Sequence, residues 1–122
     1  MKGKLVYIAG PYTAPTREGV QRNIDAAEAV GKKMLKLGAV PVIPHRITGH
    51  WDVDPTLQHI SHSEWMLNFC IPLLSRCDVL VAIEGWDESP GTMQEIEHAH
   101  ATGIAVYLLC GSVMVHVAPT DI

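Results

Sequence analysis

The residues with the clearest chemical potential lie in one stretch, where a carboxylate follows an apolar run and a predicted helix start. Residues 78–83 form a mainly apolar run between polar neighbours, which is typical of a strand buried on both faces of a parallel sheet. Ser89 can cap a helix, and Pro90 suits the first helical position. Glu95 falls in the first two turns of this helix, so its carboxylate is predicted to point toward the carboxyl end of the strand.

This placement of Glu95 suits a ligand site. Open α/β sheets bind ligands at the carboxyl ends of their strands, and the amides of a helix N-terminus can hold a phosphate. Glu95 could then act as a nucleophile or a base on an anionic, sugar-like substrate. The alternative is that Glu95 is a solvated helix residue beside Glu97, and the spacing alone does not decide between the two.

Composition and charge exclude several classes of protein. The 122 residues suffice for one domain, and 48% hydrophobic residues with 18% charged residues exclude disorder. The net charge is −4 and the nine Lys and Arg residues are scattered, so neither nucleic acid nor a membrane is an expected partner. No apolar run approaches membrane-spanning length. The three cysteines are Cys70, Cys77 and Cys110. They form no Cys-x-x-Cys motif and cannot all pair within one chain, so we expect the reducing environment of the cytoplasm.

The first part of the chain predicts a strand, a helix and a second strand. Residues 4–9 form the first strand, and Gly10 in the turn that follows would let the backbone approach a ligand closely. Residues 16–37 repeat apolar side chains at three- and four-residue steps, which predicts an amphipathic helix. Residues 39–43 form the second strand, and Pro41 within it predicts an edge position. A right-handed parallel crossover would join the two strands.

The rest of the chain adds a long loop, a helix and a further strand. Residues 44–60 lack helical or alternating order, which predicts a loop over the carboxyl edge of the sheet, and their histidines match no zinc spacing. Residues 61–64 form a capping box that opens a helix, which Pro72 kinks or ends. Residues 104–109 predict a buried fourth strand. Residues 110–122 are weakly patterned and could cross to a partner subunit.

Together these elements predict a single Rossmann-like (flavodoxin-like) three-layer α/β/α domain over residues 1–122, with a mostly parallel sheet of four to five strands. The turn after the first strand lacks the Gly-x-Gly-x-x-Gly pattern of dinucleotide-binding proteins. We therefore expect no dinucleotide.

The sequence also resembles the nucleoside 2-deoxyribosyltransferase superfamily, and above all its small, mostly uncharacterised phage and bacterial members. Three segments carry the resemblance: Tyr7-Ile-Ala-Gly-Pro11, Cys77-Asp-Val-Leu-Val, and Ser89-Pro-Gly-Thr-Met-Gln-Glu95 with the Gly-Trp pair before it. The resemblance covers nearly the whole chain. It implies cleavage or transfer of the N-glycosyl bond of a nucleoside or nucleoside 5′-monophosphate, without a cofactor or metal, by a homodimer or higher homo-oligomer.

The resemblance implies a role for each matching residue. Glu95 corresponds to a nucleophile that attacks C1′ of the sugar and forms a glycosyl-enzyme ester, and Tyr7 would orient its carboxylate. Ser89 and Gly91 would hold the 5′ end of the sugar, where free helix amides favour a phosphate. The turn residues that would flank the sugar or phosphate are Gly10 and Pro11.

Trp86 precedes the predicted helix and has two interpretations. Its indole could line the pocket and stack on the base, or it could cover the end of the sheet.

One position departs from the family pattern. Where the family usually has an Asp that holds or protonates the leaving base, this chain has Cys70, whose neutral thiol cannot replace a carboxylic acid. General acid catalysis typically contributes about 10²- to 10⁴-fold. The chain is therefore either an enzyme in which another residue supplies the acid or a catalytically silent nucleotide-binding module; a structural interaction protein is the third alternative. The candidate substitutes are His45, Asp52, Asp54, Asp87 and Glu88.

Overall fold

The computed structural model describes residues 1–121 and places five strands in one sheet. The strands are β1 (Leu5–Ala9), β2 (Val40–Val42), β3 (Val79–Ala82), β4 (Ala105–Cys110) and β5 (Val113–Val117). Their order is β2-β1-β3-β4-β5, in which the first four strands are parallel and β5 is antiparallel to β4. This confirms the predicted α/β class, and β3 is the central strand.

Helices cover both faces of this sheet. The helical elements are α1 (Arg17–Lys36), α2 (Pro44–Ile47), α3 (His62–Trp65), a π segment (Met66–Cys70), α4 (Ile71–Leu74) and α5 (Pro90–Thr102). Helix α1 packs against β1 and β2 on one face, and α5 packs against β3, β4 and α4 on the other. The predicted three-layer arrangement is confirmed. Within residues 1–121, none of the helices has both the length and the apolar character needed to cross a membrane.

The alternation of side chains along β1 sorts its residues between the two layers. Val6 and Ile8 belong to the apolar cluster that includes α1, whereas Tyr7 and Ala9 belong to the cluster that includes α4 and α5. Tyr7 is fully buried. Its place in β1 therefore fixes its phenol on the same side of the sheet as α5.

The predicted first helix and second strand are confirmed. The Thr16 hydroxyl accepts a hydrogen bond from the Gly19 amide at 3.1 Å, which caps the start of α1, and Gly38 ends the helix with a φ of 87°. Strand β2 pairs with β1 alone, so it is an edge strand. An edge strand tolerates Pro41 because one side of it needs no backbone donor.

The end of the chain is where the fold differs most from the prediction. The sequence pattern of residues 110–122 is weak and predicts no strand, but residues 113–117 form β5 and return along β4 through a turn at Gly111, whose φ is 63°. Ile122 lies outside the described residues. Strand β4 is less buried than predicted, since only Val106 is fully buried and α1 lies over β1 and β2 instead.

Residues 44–74 are more helical than the sequence pattern indicates. The expected loop contains α2 and two 3-10 turns, Trp51–Val53 and Pro55–Leu57. The capping residue is confirmed, because the Ser61 hydroxyl accepts from the Glu64 amide at 3.1 Å. The π segment then widens the helix directly before Pro72, whose missing N–H removes one helical hydrogen bond.

Candidate functional site

A cavity of about 660 Å³ lies beside the carboxyl ends of the parallel strands. Its wall combines residues that follow β1 and β2, the first turns of α5, and one face of the helical stretch from α3 through the π segment. Seven of the eight predicted site residues line it: Tyr7, Gly10, Pro11, Cys70, Ser89, Gly91 and Glu95.

Glu95 lies on the face of α5 that packs toward the sheet. It is 7% exposed and shares this buried face with Thr92, Ile96 and Ala99, whereas Glu97 is exposed. The interpretation of Glu95 as a solvated helix residue is therefore wrong. A carboxylate among small and apolar side chains costs free energy, so its presence points to a role other than stability.

Tyr7 and Glu95 form a hydrogen-bonded pair at the cavity wall. The Tyr7 hydroxyl donates to Glu95 Oε2. Glu95 Oε1 accepts no hydrogen bond from residues 1–121. One oxygen of the carboxylate is thus held in place, and the other is available to a ligand.

Burial sets the protonation state of this pair. It raises the pKa of Glu95 to about 7, although the hydrogen bond from Tyr7 opposes the rise. Burial, followed by the charge of Glu95, raises the pKa of Tyr7 well above its usual value. Tyr7 therefore remains a neutral donor, while a substantial fraction of Glu95 is ionised near neutral pH and can act as a nucleophile or base.

Cys70 lines the cavity next to this pair. Burial, and then the charge of Glu95, raises the pKa of its thiol to about 11, so the thiol stays neutral. Cys70 follows His62 and Met66 at four-residue steps, and all three line the cavity. A Cβ on Gly91 would lie 3.7 Å from Met66 Sδ and 3.8 Å from the His62 ring. These two side chains therefore face the first turn of α5.

The start of α5 is capped as the sequence predicts. The Ser89 hydroxyl accepts from the Thr92 amide at 3.3 Å and from the Thr92 hydroxyl at 2.9 Å. Pro90 is the first helical residue and has no N–H to offer. Fewer free amides than expected are thus available at this helix start.

The packing explains the glycine at position 10 and decides between the two interpretations of Trp86. Gly10 lines the cavity, but a Cβ at this position would lie 2.4 Å from Ile83 Cγ1, so glycine is required for the approach to Ile83. Trp86 does not line the cavity; its half-buried indole packs against the core cluster around Tyr7 and Leu80. Of the two interpretations of Trp86, the structure supports the one in which the side chain covers the end of the sheet.

A polar network holds the rim of the cavity. Asp52 accepts a hydrogen bond from the Tyr12 hydroxyl at 2.7 Å and one from Arg17 Nη1 at 2.9 Å. The His50 amide donates to the Tyr12 hydroxyl at 2.7 Å, and the His50 ring contacts the Arg17 guanidinium. Burial alone would raise the pKa of Asp52, but the hydrogen bonds from Arg17 and Tyr12 lower it below its usual value. Asp52 is therefore an ionised structural residue.

His45 connects the second strand to the turn after the first. It is 6% exposed, and its Nε2 lies 2.9 Å from the Pro11 carbonyl oxygen, while Nδ1 has no partner among residues 1–121. Burial lowers the pKa of His45, so the ring is neutral. Its ring therefore helps to position Pro11 on the cavity wall.

Sequence reasoning missed several residues of the wall. Trp51 and Trp65 pack edge to face with 6.3 Å between their ring centroids, and the centroid of the Trp65 ring lies 5.8 Å from that of Phe69. The sequence did offer a signal for His62 and Met66, because they precede the predicted site residue Cys70 at four-residue steps. No group of three or more His, Cys, Asp and Glu side chains suited to a metal ion occurs among the described residues. The missed lining residues are Tyr12, Trp51, His62, Trp65, Met66 and Thr92.

Comparisons with known proteins agree with this fold. A family model described as "Domain of unknown function (DUF7768)" matches residues 4–109. The structure is similar to that of a 2-deoxyribosyltransferase from the psychrotolerant bacterium Bacillus psychrosaccharolyticus, a biocatalyst for the synthesis of antiviral and antitumoral nucleosides. The TM-score is 0.56 at 20% identity, over 91% of this chain and 77% of the other. No curated protein matches in sequence. The predicted deoxyribosyltransferase-like fold is confirmed.

Proposed function

We propose that this chain, which belongs to the DUF7768 family, cleaves or transfers the N-glycosidic bond of a nucleoside or nucleoside 5′-monophosphate. The single observation that supports this most is the buried Glu95, held by Tyr7 and facing a cavity with its second oxygen. The fold shared with a nucleoside deoxyribosyltransferase adds support. The cavity of about 660 Å³ also suits a ligand the size of a nucleoside.

In the proposed reaction Glu95 is the nucleophile and Tyr7 is its positioning residue. Oε1 attacks C1′ of the sugar, the C1′–N bond breaks with its electron pair leaving on the base, and a glycosyl ester forms. Tyr7 holds Oε2 and thereby restricts the carboxylate to one orientation. Water or a second base then attacks C1′ and releases the carboxylate.

The first turn of α5 would hold the 5′ end of the sugar. Ser89 and Gly91 both line the cavity there, and α5 also carries the nucleophile one turn further along. One helix would therefore fix the distance between the 5′ end and the carboxylate. Gly10 and Pro11 would form the opposite side of the sugar site.

The second candidate is a nucleotide-binding module without turnover. Cys70 favours it, because a thiol with a pKa of about 11 is a poor acid for a departing base. This candidate predicts ligand affinity and no chemistry.

A panel of nucleosides and 5′-monophosphates distinguishes the two candidates. Each compound is incubated with the protein, with and without a free acceptor base, and released or exchanged base is measured by chromatography. Glu95→Ala is expected to abolish turnover, while Glu97→Ala, an exposed change on the same helix, keeps it. Tight binding without turnover by the unmodified protein would establish the binding module instead.

We also propose that the protein is a cytoplasmic homo-oligomer. Large apolar side chains remain exposed on two separate elements, with Leu67 at 63% and Val113 at 59%. Val113 lies on β5, an edge strand with an unpaired side. Light scattering at micromolar concentration is expected to give at least a dimer, and a monodisperse monomer would contradict this.

A further inference from the structure

The cavity wall carries negative charge without matching positive charge. Asp52, Glu88 and Glu95 line it, and no Lys or Arg of the described residues does. Arg17 reaches Asp52 from outside this wall, so the rim pair is satisfied within the protein. Glu88 and Glu95 form no ion pair with a Lys or Arg in residues 1–121. A ligand that brings positive charge is therefore favoured over one that brings a phosphate.

Aromatic side chains form another part of the same wall. Trp51 and Trp65 both line the cavity, in edge-to-face contact with each other. Trp51 is 44% exposed, so its ring is accessible to a ligand. Aromatic faces attract organic cations, and tryptophan does so most strongly. Carboxylates and tryptophans together suit a flat cationic ring.

Among residues 1–121, the Tyr7–Glu95 pair has no strong acid next to it that could protonate a departing base. The Tyr7 hydroxyl is committed to Glu95, and the Cys70 thiol is a weak donor. His62 lines the same cavity, but its ring faces Gly91 and makes no hydrogen bond to the Tyr7–Glu95 pair among the described residues. Asp52 accepts hydrogen bonds from Tyr12 and Arg17 and has no proton to give.

His45 and Glu88 do not supply this proton either. His45 Nε2 donates its proton to the Pro11 carbonyl, so the buried Nδ1 of the neutral ring carries no proton to give. Glu88 is an exposed residue of the turn before α5. A substrate whose base departs without being protonated therefore suits this site.

We infer that the substrate is a cationic N-glycoside, in which the base itself carries positive charge, such as a pyridinium nucleoside or an N7-alkylated purine nucleoside. This inference rests on the proposed function and specifies its substrate class. The base meets the tryptophans, and the sugar lies over Glu95. The charge of the base replaces the acid that Cys70 does not provide.

The chemical step balances without an acid. Glu95 Oε1 forms a bond to C1′ as the C1′–N bond breaks, and the electron pair of that bond neutralises the positive nitrogen. The base leaves as a neutral molecule. Water then adds its oxygen to C1′, the carboxylate departs from the ester, and one proton goes to solvent. Water is the one co-reactant consumed, and no oxidant or metal is needed.

A matched pair of substrates tests the inference. Guanosine and 7-methylguanosine, each also as the 2′-deoxy form, differ in the charge of the base, and base release is measured against a no-enzyme control and Glu95→Gln. We expect kcat/KM to be at least about 100-fold higher for the methylated, cationic member. Values within tenfold of each other would overturn the inference and leave the proposed function intact. Release from neither member, nor from nicotinamide riboside, would also overturn the inference, and the panel of neutral nucleosides and 5′-monophosphates then tests the proposed function separately.

A binding measurement tests the same inference without turnover. Calorimetry compares 1-methylnicotinamide, a cation, with neutral nicotinamide, which has nearly the same shape. We expect the cation to bind at least about threefold more tightly, and Trp65→Leu to weaken the cation more than the neutral ring. Because the neutral ring reports on folding of the variant, loss of both together does not count as support. Equal affinity for the two rings in the unmodified protein would overturn the inference.

Discussion

Glu95 and Asp52 both lie on the cavity wall, and each accepts a hydrogen bond from a tyrosine hydroxyl. They differ in burial, in charged partners and in pKa. Tyr7 donates to Glu95 in the interior, and Tyr12 donates to Asp52 at the rim. The pKa of Glu95 is raised to about 7, whereas that of Asp52 is lowered. A tyrosine hydroxyl is the donor in both pairs, yet the pKa values of the two carboxyl groups shift in opposite directions.

The difference comes from burial and from the presence of a cation. The Asp52 side chain is 41% exposed and pairs with Arg17 at 2.9 Å, so its charge is stabilised before any ligand arrives. Glu95 is 7% exposed and has only Tyr7. The rim pair holds residues 44–60 against the start of α1. The interior pair instead keeps a carboxylate whose charge is stabilised only when positive charge develops next to it, which is what an oxocarbenium-like transition state supplies.

The largest expected difference between the two pairs is in catalysis. Glu95→Gln keeps the size and the hydrogen bond from Tyr7 but removes the nucleophile, and we expect turnover to fall by roughly 10⁴-fold or more. Asp52→Asn is the matched change at the rim and is expected to cost less than about tenfold. Steady-state kinetics on the best substrate of the panel measures both. Similar losses in the two variants would break the distinction between the pairs.

The next difference concerns stability and pH. Because the pKa of Glu95 is raised from about 4.5 to about 7, the folded state holds the proton more tightly than the unfolded state. Its contribution is fully present below pH 4.5 and is lost as pH rises through 7, a change of about 3 kcal/mol in the free energy of unfolding. Glu95→Gln is therefore expected to match the parent near pH 4 and to be more stable at pH 8. Denaturant unfolding at both pH values checks this, with the exposed Glu97→Gln as control.

The tyrosines are expected to differ less. The hydrogen bond from Tyr7 lowers the pKa of Glu95, so Tyr7→Phe raises that pKa further and moves the rising limb of the pH–rate profile to higher pH. At pH 7 we expect about a tenfold loss of kcat/KM, part of which returns as pH rises. Tyr12→Phe leaves the position of this limb unchanged. An unshifted limb in Tyr7→Phe would remove the assigned positioning role.

The smallest effect is expected for the rim ion pair. Arg17→Met removes an exposed ion pair, which typically contributes little to stability and less at high salt. Because the pKa of Asp52 is lowered, the stability that the ion pair contributes is present at pH values above the usual pKa of an Asp and is lost on acidification. This pH dependence is opposite to that of Glu95. Thermal unfolding at low and high salt measures it. A large destabilisation that persists at high salt would mean that the rim supports the whole fold and not only the loop.

Much of the fold follows from local patterns in the sequence. The helix that became α1 and the edge position of β2 were predicted because apolar period, caps and Pro41 all act locally. Strand β5 was missed because only one of its five residues is buried, so its valines do not separate a core face from a solvent face. The position of β5 is set by its antiparallel pairing with β4.

The candidate site was predicted in part for the same reason. Glu95 and Ser89 are placed by one strand-to-helix unit, and their positions in the structure agree with the pattern. The sequence did not settle where the Trp86 side chain lies, because the orientation of a side chain in a short 3-10 turn depends on which apolar surface is nearest. Here that surface is the core around Tyr7. The pairing of Tyr12 with Asp52, 40 residues apart, has no local signal.

The most direct test of the central claim is to trap the glycosyl ester on Glu95. The protein is mixed with its best substrate, quenched in acid within milliseconds to seconds, digested, and analysed by mass spectrometry. We predict that the peptide containing Glu95 gains the mass of the sugar residue, and that Glu95→Gln shows neither this adduct nor base release. Base release at an undiminished rate by Glu95→Gln, or an adduct on a different residue, would contradict the assignment of Glu95 as the nucleophile.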